Sequence, residues 1–200
     1  MVTKIAMNPD EKKFLAGLEP FLRIYGYHRH ESEPCLIRMP FKEAVPMIFI
    51  EFTKNSVKAK VGVKFVDLEE YLPLEAEPVT STLKNFAAIC PRPQNYFLAE
   101  GAFRLSVDLF EFAVPYLQRL TNRDHTIKLL QRQFSGAWPV NTYSERIRLL
   151  PLLLASRGQS EEACNLVRRF VTEIAAGENA ALSYDKFAKA FVNRFYCSST

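Results

Sequence analysis

The sequence predicts an α+β fold, with an N-terminal helix packed on a small antiparallel sheet and a C-terminal helical half. Three observations carry this. Phe14, Leu15, Leu18, Phe21, Leu22 and Tyr25 form a stripe at helical spacing. Val57, Ala59, Val61, Val63 and Phe65 alternate with Lys58, Lys60, Gly62 and Lys64, the mark of a strand buried on one face. Beyond residue 100 the stripes are helical throughout.

The first helix spans about Pro9 to Tyr25. Asn8 can cap it, with Glu11 three residues on as in a capping box and Pro9 in the first turn; Gly26 ends it. Cys35–Met39 and Met47–Phe52 are short apolar runs bounded by Pro40 and Pro46. A turn at Lys54-Asn55-Ser56 leads into the alternating strand Val57–Val66. Three antiparallel strands would cover the Phe14 stripe. Gly62, interrupting the Lys row, suggests a bulge or a close backbone approach. A short helix is expected at Thr80–Ile89, and the prolines around Arg92–Asn95 suggest a linker.

Ala102–Leu120 reads as a helix kinked at Pro115, although Phe103–Leu109 also alternates as a strand would. Arg123–Phe134 is a helix bounded by Gly136. Thr142 and Glu145 form a second capping box, opening a helix that Gly158 stops near Ser156. Ser160 caps the next helix, with Glu161 and Glu162 at its positive end and Gly177 as its stop. A last helix spans about Ser183–Tyr196. Residues 142–176 thus form an αα-hairpin of tetratricopeptide length, but no second copy of it is visible. The domain reading is one α+β domain over 1–200, with a helix-plus-sheet part at 1–90 and a helical part at 96–200.

Composition narrows the function classes. The chain has 25 aromatic residues in 200 and is 48% apolar, which excludes disorder. No apolar stretch approaches the roughly 20 residues of a membrane span, so no membrane partner is expected. Met1–Pro9 carries only Lys4 and does not read as a signal peptide. Residues 1–100 hold 13 basic and 13 acidic side chains, and residues 101–200 hold 13 and 9, so the net +4 sits in the second half. That surplus is too mild and scattered for nucleic acid. Cys35, Cys90, Cys164 and Cys197 show no CxxC spacing, and four free thiols in a reducing cytoplasm are expected. Cys164, beside Leu166 and Val167, reads as a packed small hydrophobe.

Candidate chemistry is sparse. His28, His30 and Cys35 could be imagined as a zinc site, with Glu31 and Glu33 nearby. A polar hairpin loop accounts for the same residues, and zinc requires three or four ligands. His125 reads as an exposed residue in a helix's first turn. No phosphate-cradling glycine loop or nucleophile elbow occurs. No cofactor and no enzymatic activity are expected.

Two charged features suit a protein partner. Lys58, Lys60 and Lys64 could meet an acidic surface, although a solvated or protected strand face explains them more simply. Asp67, Glu69, Glu70, Glu75 and Glu77 surround Tyr71, Leu72 and Leu74, an aromatic anchor with a charged rim. A solvated connector accounts for that window equally well.

The segments FLRIYGYHRHE, MIFIEFTKNSVKAKVGVKF and ERIRLLPLLLASRGQSEEACNLVRRF, in that order, resemble the layout of small bacterial immunity proteins. The resemblance covers about two thirds of the chain. It implies a non-enzymatic protein that binds and neutralises a cognate toxin, and it transfers no contact residue. A helical adaptor acting through the 142–196 helices and a metal-dependent enzyme using His28, His30 and Cys35 are the alternatives.

Overall fold

A computed structural model describes residues 7–30, 34–38, 43–175 and 181–197. The fold is α+β, with an N-terminal helix, a curled antiparallel sheet and a helical C-terminal half. The chain divides into two compact units, Met1–Val63 with Leu83–Thr121, and Lys64–Thr82 with Asn122–Thr200. No boundary falls in the proline-rich stretch at 91–95.

In the first unit, α1 (Pro9–Arg23) begins with the reciprocal capping box of Asn8 and Glu11, each bond 2.9 Å. It buries Phe14, Leu15, Leu18 and Leu22. Burial of four such side chains contributes roughly 6–12 kcal/mol as an upper bound. Gly26 takes a positive φ of 80°, which reverses the chain into the sheet. Strands β1 (Tyr27–Arg29), β2 (Cys35–Arg38), β3 (Ala44–Phe52), β4 (Ser56–Phe65) and β5 (Lys84–Asn85) are neighbours in chain order, and β6 (Tyr96–Phe97) also pairs with β4. His28 stands opposite Ile37, Leu36 opposite Ile48, and Val61 opposite Lys84. Phe14 of α1 meets Phe52 of β3 edge-on at 5.9 Å.

Two expectations fail here. Thr80–Ile89 is not a helix: it holds β5 and a single 3-10 turn at Phe86–Ala88. Pairing with β4 supplies the hydrogen bonds that a helix would have made internally. Arg92–Asn95 is not a free linker, because Tyr96 pairs with Val57 and Arg92 is ion-paired.

Helices α2 (Gly101–Asp108) and α3 (Val114–Leu120) are joined by a π-turn at Leu109–Ala113. Pro115 lacks a backbone N–H and crowds the preceding turn. The helix widens ahead of it, and the Val114 N–H reaches the Leu109 carbonyl five residues back. The expected kink is therefore a π-turn, and the alternative strand at Phe103–Leu109 does not form.

In the second unit, α4 (Arg123–Leu130) starts at the Asn122 cap, and α5 (Tyr143–Ser156) starts at the Thr142–Glu145 capping box. Gly158, at φ 78°, ends α5, with the Gln159 N–H returning to the Leu154 carbonyl at 3.0 Å. Helix α6 (Ser160–Ala175) folds back on α5, as the hairpin reading expected, and α7 (Ala181–Phe195) packs on α6. Pro151, buried within α5, cannot donate to the Ile147 carbonyl. The Tyr184 hydroxyl of α7 donates to that carbonyl at 3.4 Å. Gly177, the expected stop of α6, lies outside the described residues.

Candidate functional site

The acidic segment is built on two 3-10 turns, Val66–Glu70 and Leu74–Ala76. Leu68, Leu72 and Ala76 turn inward and are buried. Asp67 accepts two hydrogen bonds from Arg123, at 2.7 and 2.9 Å, and Arg123 also donates to the Ser156 hydroxyl at 2.8 Å. The same guanidinium lies 5.3 Å from the Phe65 ring centre. Glu69 pairs with Lys64 at 2.7 Å, and Glu77 lies 4.0 Å from Arg148. Tyr71 rests edge-on against Phe195, 5.7 Å between centroids. Three of the five carboxylates thus have basic partners inside the protein. Glu70 and Glu75 are exposed and, among the described residues, make no ion pair. Leu74 projects between them, 86% exposed.

The lysine row divides. Lys60 pairs with Glu51 across β4 and β3, and Lys58 is exposed. Both line a shallow groove with Asn85 and Gln94. Lys64 belongs to the second unit and is taken up by Glu69.

His28 and His30 are exposed, whereas Cys35 is buried and directs its thiol to the Leu36 carbonyl. The three side chains do not converge, and Glu31 and Glu33 lie outside the described residues. Among the described residues no three His, Cys, Asp or Glu side chains gather as metal ligands would. His125 sits in the first turn of α4 as expected, half-buried, with its backbone N–H on the Asn122 side chain at 3.0 Å.

Three features escaped the sequence reading. The first is an aromatic ridge on the first unit. Gly17 of α1 faces Ala102 of α2 so closely that an added Cβ would sit 3.3 Å from the alanine Cβ. This approach lines up Phe21 with Phe103 (5.4 Å, edge-on) and Tyr25 with Phe110 (4.5 Å, stacked). Phe103 is 62% exposed, Phe110 45%, Phe21 42% and Ile24 79%, and Val107 is exposed between them. Phe103, Val107 and Phe110 recur at helical spacing. In the sequence that stripe is indistinguishable from a core stripe; only the buried opposite face, Leu105 and Leu109, decides between them.

The second is a buried carboxylate. Asp108, 2% exposed, accepts from Arg92 at 2.8 Å and from the Tyr96 hydroxyl at 2.7 Å. Arg92 also reaches Glu111 at 2.7 Å and stands 5.0 Å over the Phe112 ring. Burial, then the bond to Asp108, raises the Tyr96 pKa. The hydrogen bond to Asp108 likewise raises that of Arg92. An aspartate inside the apolar run Val107–Phe110 was the available signal.

The third corrects the thiol expectation. Cys164 and Cys197 form a disulfide with Cα atoms 5.6 Å apart, while Cys35 and Cys90 are buried thiols. The free-thiol expectation followed from the absence of a signal-peptide pattern, and two of the four cysteines are paired instead.

No helix among the described residues is long and apolar enough to cross a membrane. Comparison with protein-family models, with curated proteins and with solved structures finds no match for this chain.

Proposed function

We propose that the chain is a non-enzymatic immunity protein that binds a cognate bacterial toxin and blocks its active site or substrate surface. The observation that carries this reading is the aromatic ridge of Phe21, Ile24, Phe103, Val107 and Phe110. Large rigid side chains left in water on packed helices are the anchors from which protein interfaces draw most of their energy. The protruding Glu70, Leu74 and Glu75 supply a second, acidic contact element suited to a basic toxin, and opposite charge speeds such an encounter. Lys58 and Lys60 serve an acidic part of the same partner. Nucleic acid has no role in this reading, and cytoplasmic residence belongs to it only where Cys164 and Cys197 are kept reduced.

Co-expression with the product of the adjacent gene tests the proposal. The expected result is a stoichiometric complex and rescue of growth, with both lost in a Phe103→Asp/Phe110→Asp variant that remains folded. Failure of the wild-type chain to rescue growth or to form that complex overturns it.

A further inference from the structure

We propose that the Cys164–Cys197 disulfide is a thiol-operated clasp whose opening releases the last turn of α7 and, through Phe195, loosens the acidic segment Glu69–Glu77. The proposal concerns the order of that segment, so it holds or fails independently of whether a toxin binds there.

The observations form one connected series within the second unit. Cys164 lies on α6, and Cys197 follows the end of α7. Between helix and cysteine stands Tyr196, with φ 49°, the left-handed conformation that disfavours any residue bearing a Cβ. A glycine normally fills this position in the helix-ending motif formed here, in which the Cys197 N–H returns to the Val192 carbonyl at 3.2 Å. Tyr196 gains nothing from burial, because its side chain is exposed. The covalent bond at the next residue holds the turn against its own backbone preference.

One residue earlier, the Phe195 ring supports Tyr71, and α7 packs against the turn Leu74–Ala76. Tyr71 and that turn are the base on which Glu70, Leu74 and Glu75 are displayed. Upstream in α7, Tyr184, Phe187 and Phe191 are buried and join Phe195 in a ladder of ring contacts. The helix body therefore stays docked when the clasp opens, and the change is confined to its final turn and the segment resting on it.

The disulfide can be reached. Cys197 is half-buried beside an open groove lined by Ser160, Glu161, Asn165, Arg168 and Tyr196. A small thiol such as glutathione supplies the electrons. Its thiolate attacks the Cys197 sulfur, the S–S bond breaks, and Cys164 leaves as a thiolate that takes up a proton. A second thiolate attacks the mixed disulfide, forming the small-molecule disulfide and releasing Cys197, which is protonated in turn. Two thiols are oxidised for one protein disulfide reduced.

Hydrogen–deuterium exchange on the full chain, oxidised and after reduction with glutathione, tests the clasp. Thiol counting in denaturant fixes the state, with two thiols expected before reduction and four after. Peptides covering 69–77 and 192–197 are expected to exchange about tenfold faster on reduction, with 184–191 unchanged. Cys197→Ser is expected to reproduce the reduced pattern. Tyr196→Gly, which removes the left-handed penalty, is expected to restore protection in the reduced chain. Four thiols in the air-oxidised protein, or unchanged exchange at 69–77 after the bond is broken, overturns the proposal.

Discussion

Arg123 and Asp67, 56 residues apart, meet in parallel hydrogen bonds of 2.7 and 2.9 Å, and this pair fastens the acidic segment to the start of α4. The fork of the guanidinium matches both carboxylate oxygens, and a third bond to Ser156 fixes its orientation. Asp67→Asn is expected to cost about 1–2 kcal/mol of unfolding free energy, because one charge-assisted bond is lost and the aspartate is partly solvated. Arg123→Lys is expected to cost a similar amount, since an ammonium cannot make the fork. Urea unfolding of both variants and the double mutant checks this; additive losses would show that the two residues act separately.

Asp108 carries more weight because it is buried. Asp108→Ala removes the carboxylate that accepts from the Tyr96 hydroxyl and one of Arg92's two carboxylates, with an expected loss of about 2 kcal/mol. Asp108→Asn keeps an acceptor and is expected to lose less. Equal losses in the two variants, measured by denaturant midpoint at constant slope, would show that shape and not hydrogen bonding is responsible.

These two clusters mark where the sequence ceased to be legible. The capping boxes at Asn8 and Thr142, the alternation of β4 and the stops at Gly26 and Gly158 involve residues at most a few positions apart, and local chemistry decides them. Thr80–Ile89 looked helical because Leu83, Phe86 and Ile89 fall at helical spacing. The open edge of β4 overrode that preference, and no local signal announces an edge. The carboxylates at 67–77 were readable as an acidic window. Their partners Arg123 and Arg148 were not, since nothing in a window records what arrives from 50 or more residues away; Lys64 stands only five residues before Glu69. The aromatic ridge was hidden for a different reason: an apolar stripe looks the same in sequence whether it faces a core or water.

Phe103 and Phe110 project into solvent, so replacing them should leave the fold alone. Phe103→Asp/Phe110→Asp is expected to cost no more than about 1.5 kcal/mol of stability per site, the worth of the ring pairs with Phe21 and Tyr25. Its affinity for the cognate partner is expected to fall by at least about 2 kcal/mol, roughly thirtyfold. Unfolding curves and calorimetric titration separate the two effects. A large loss of stability with affinity retained would identify the ridge as structural.

Tyr143 gives the stability of the second unit an alkaline limit. Burial, reinforced by donation of its hydroxyl to Glu173 at 2.6 Å, pushes its pKa up to about 12. In the unfolded chain a tyrosine titrates near about 10. Below pH 10 both states hold the proton, and the contribution is fully present. Between about 10 and 12 the unfolded state releases the proton while the folded state keeps it, so folding weakens as pH rises. Burial raises Tyr27, Tyr116 and Tyr184 as well, and the effects act in the same direction. The melting temperature is therefore expected to hold up to about pH 10 and fall steeply above it. Tyr143→Phe, which cannot ionise, is expected to flatten part of that fall. A melting profile for Tyr143→Phe parallel to wild type from pH 10 to 12 would show that Tyr143 contributes nothing to the alkaline limit.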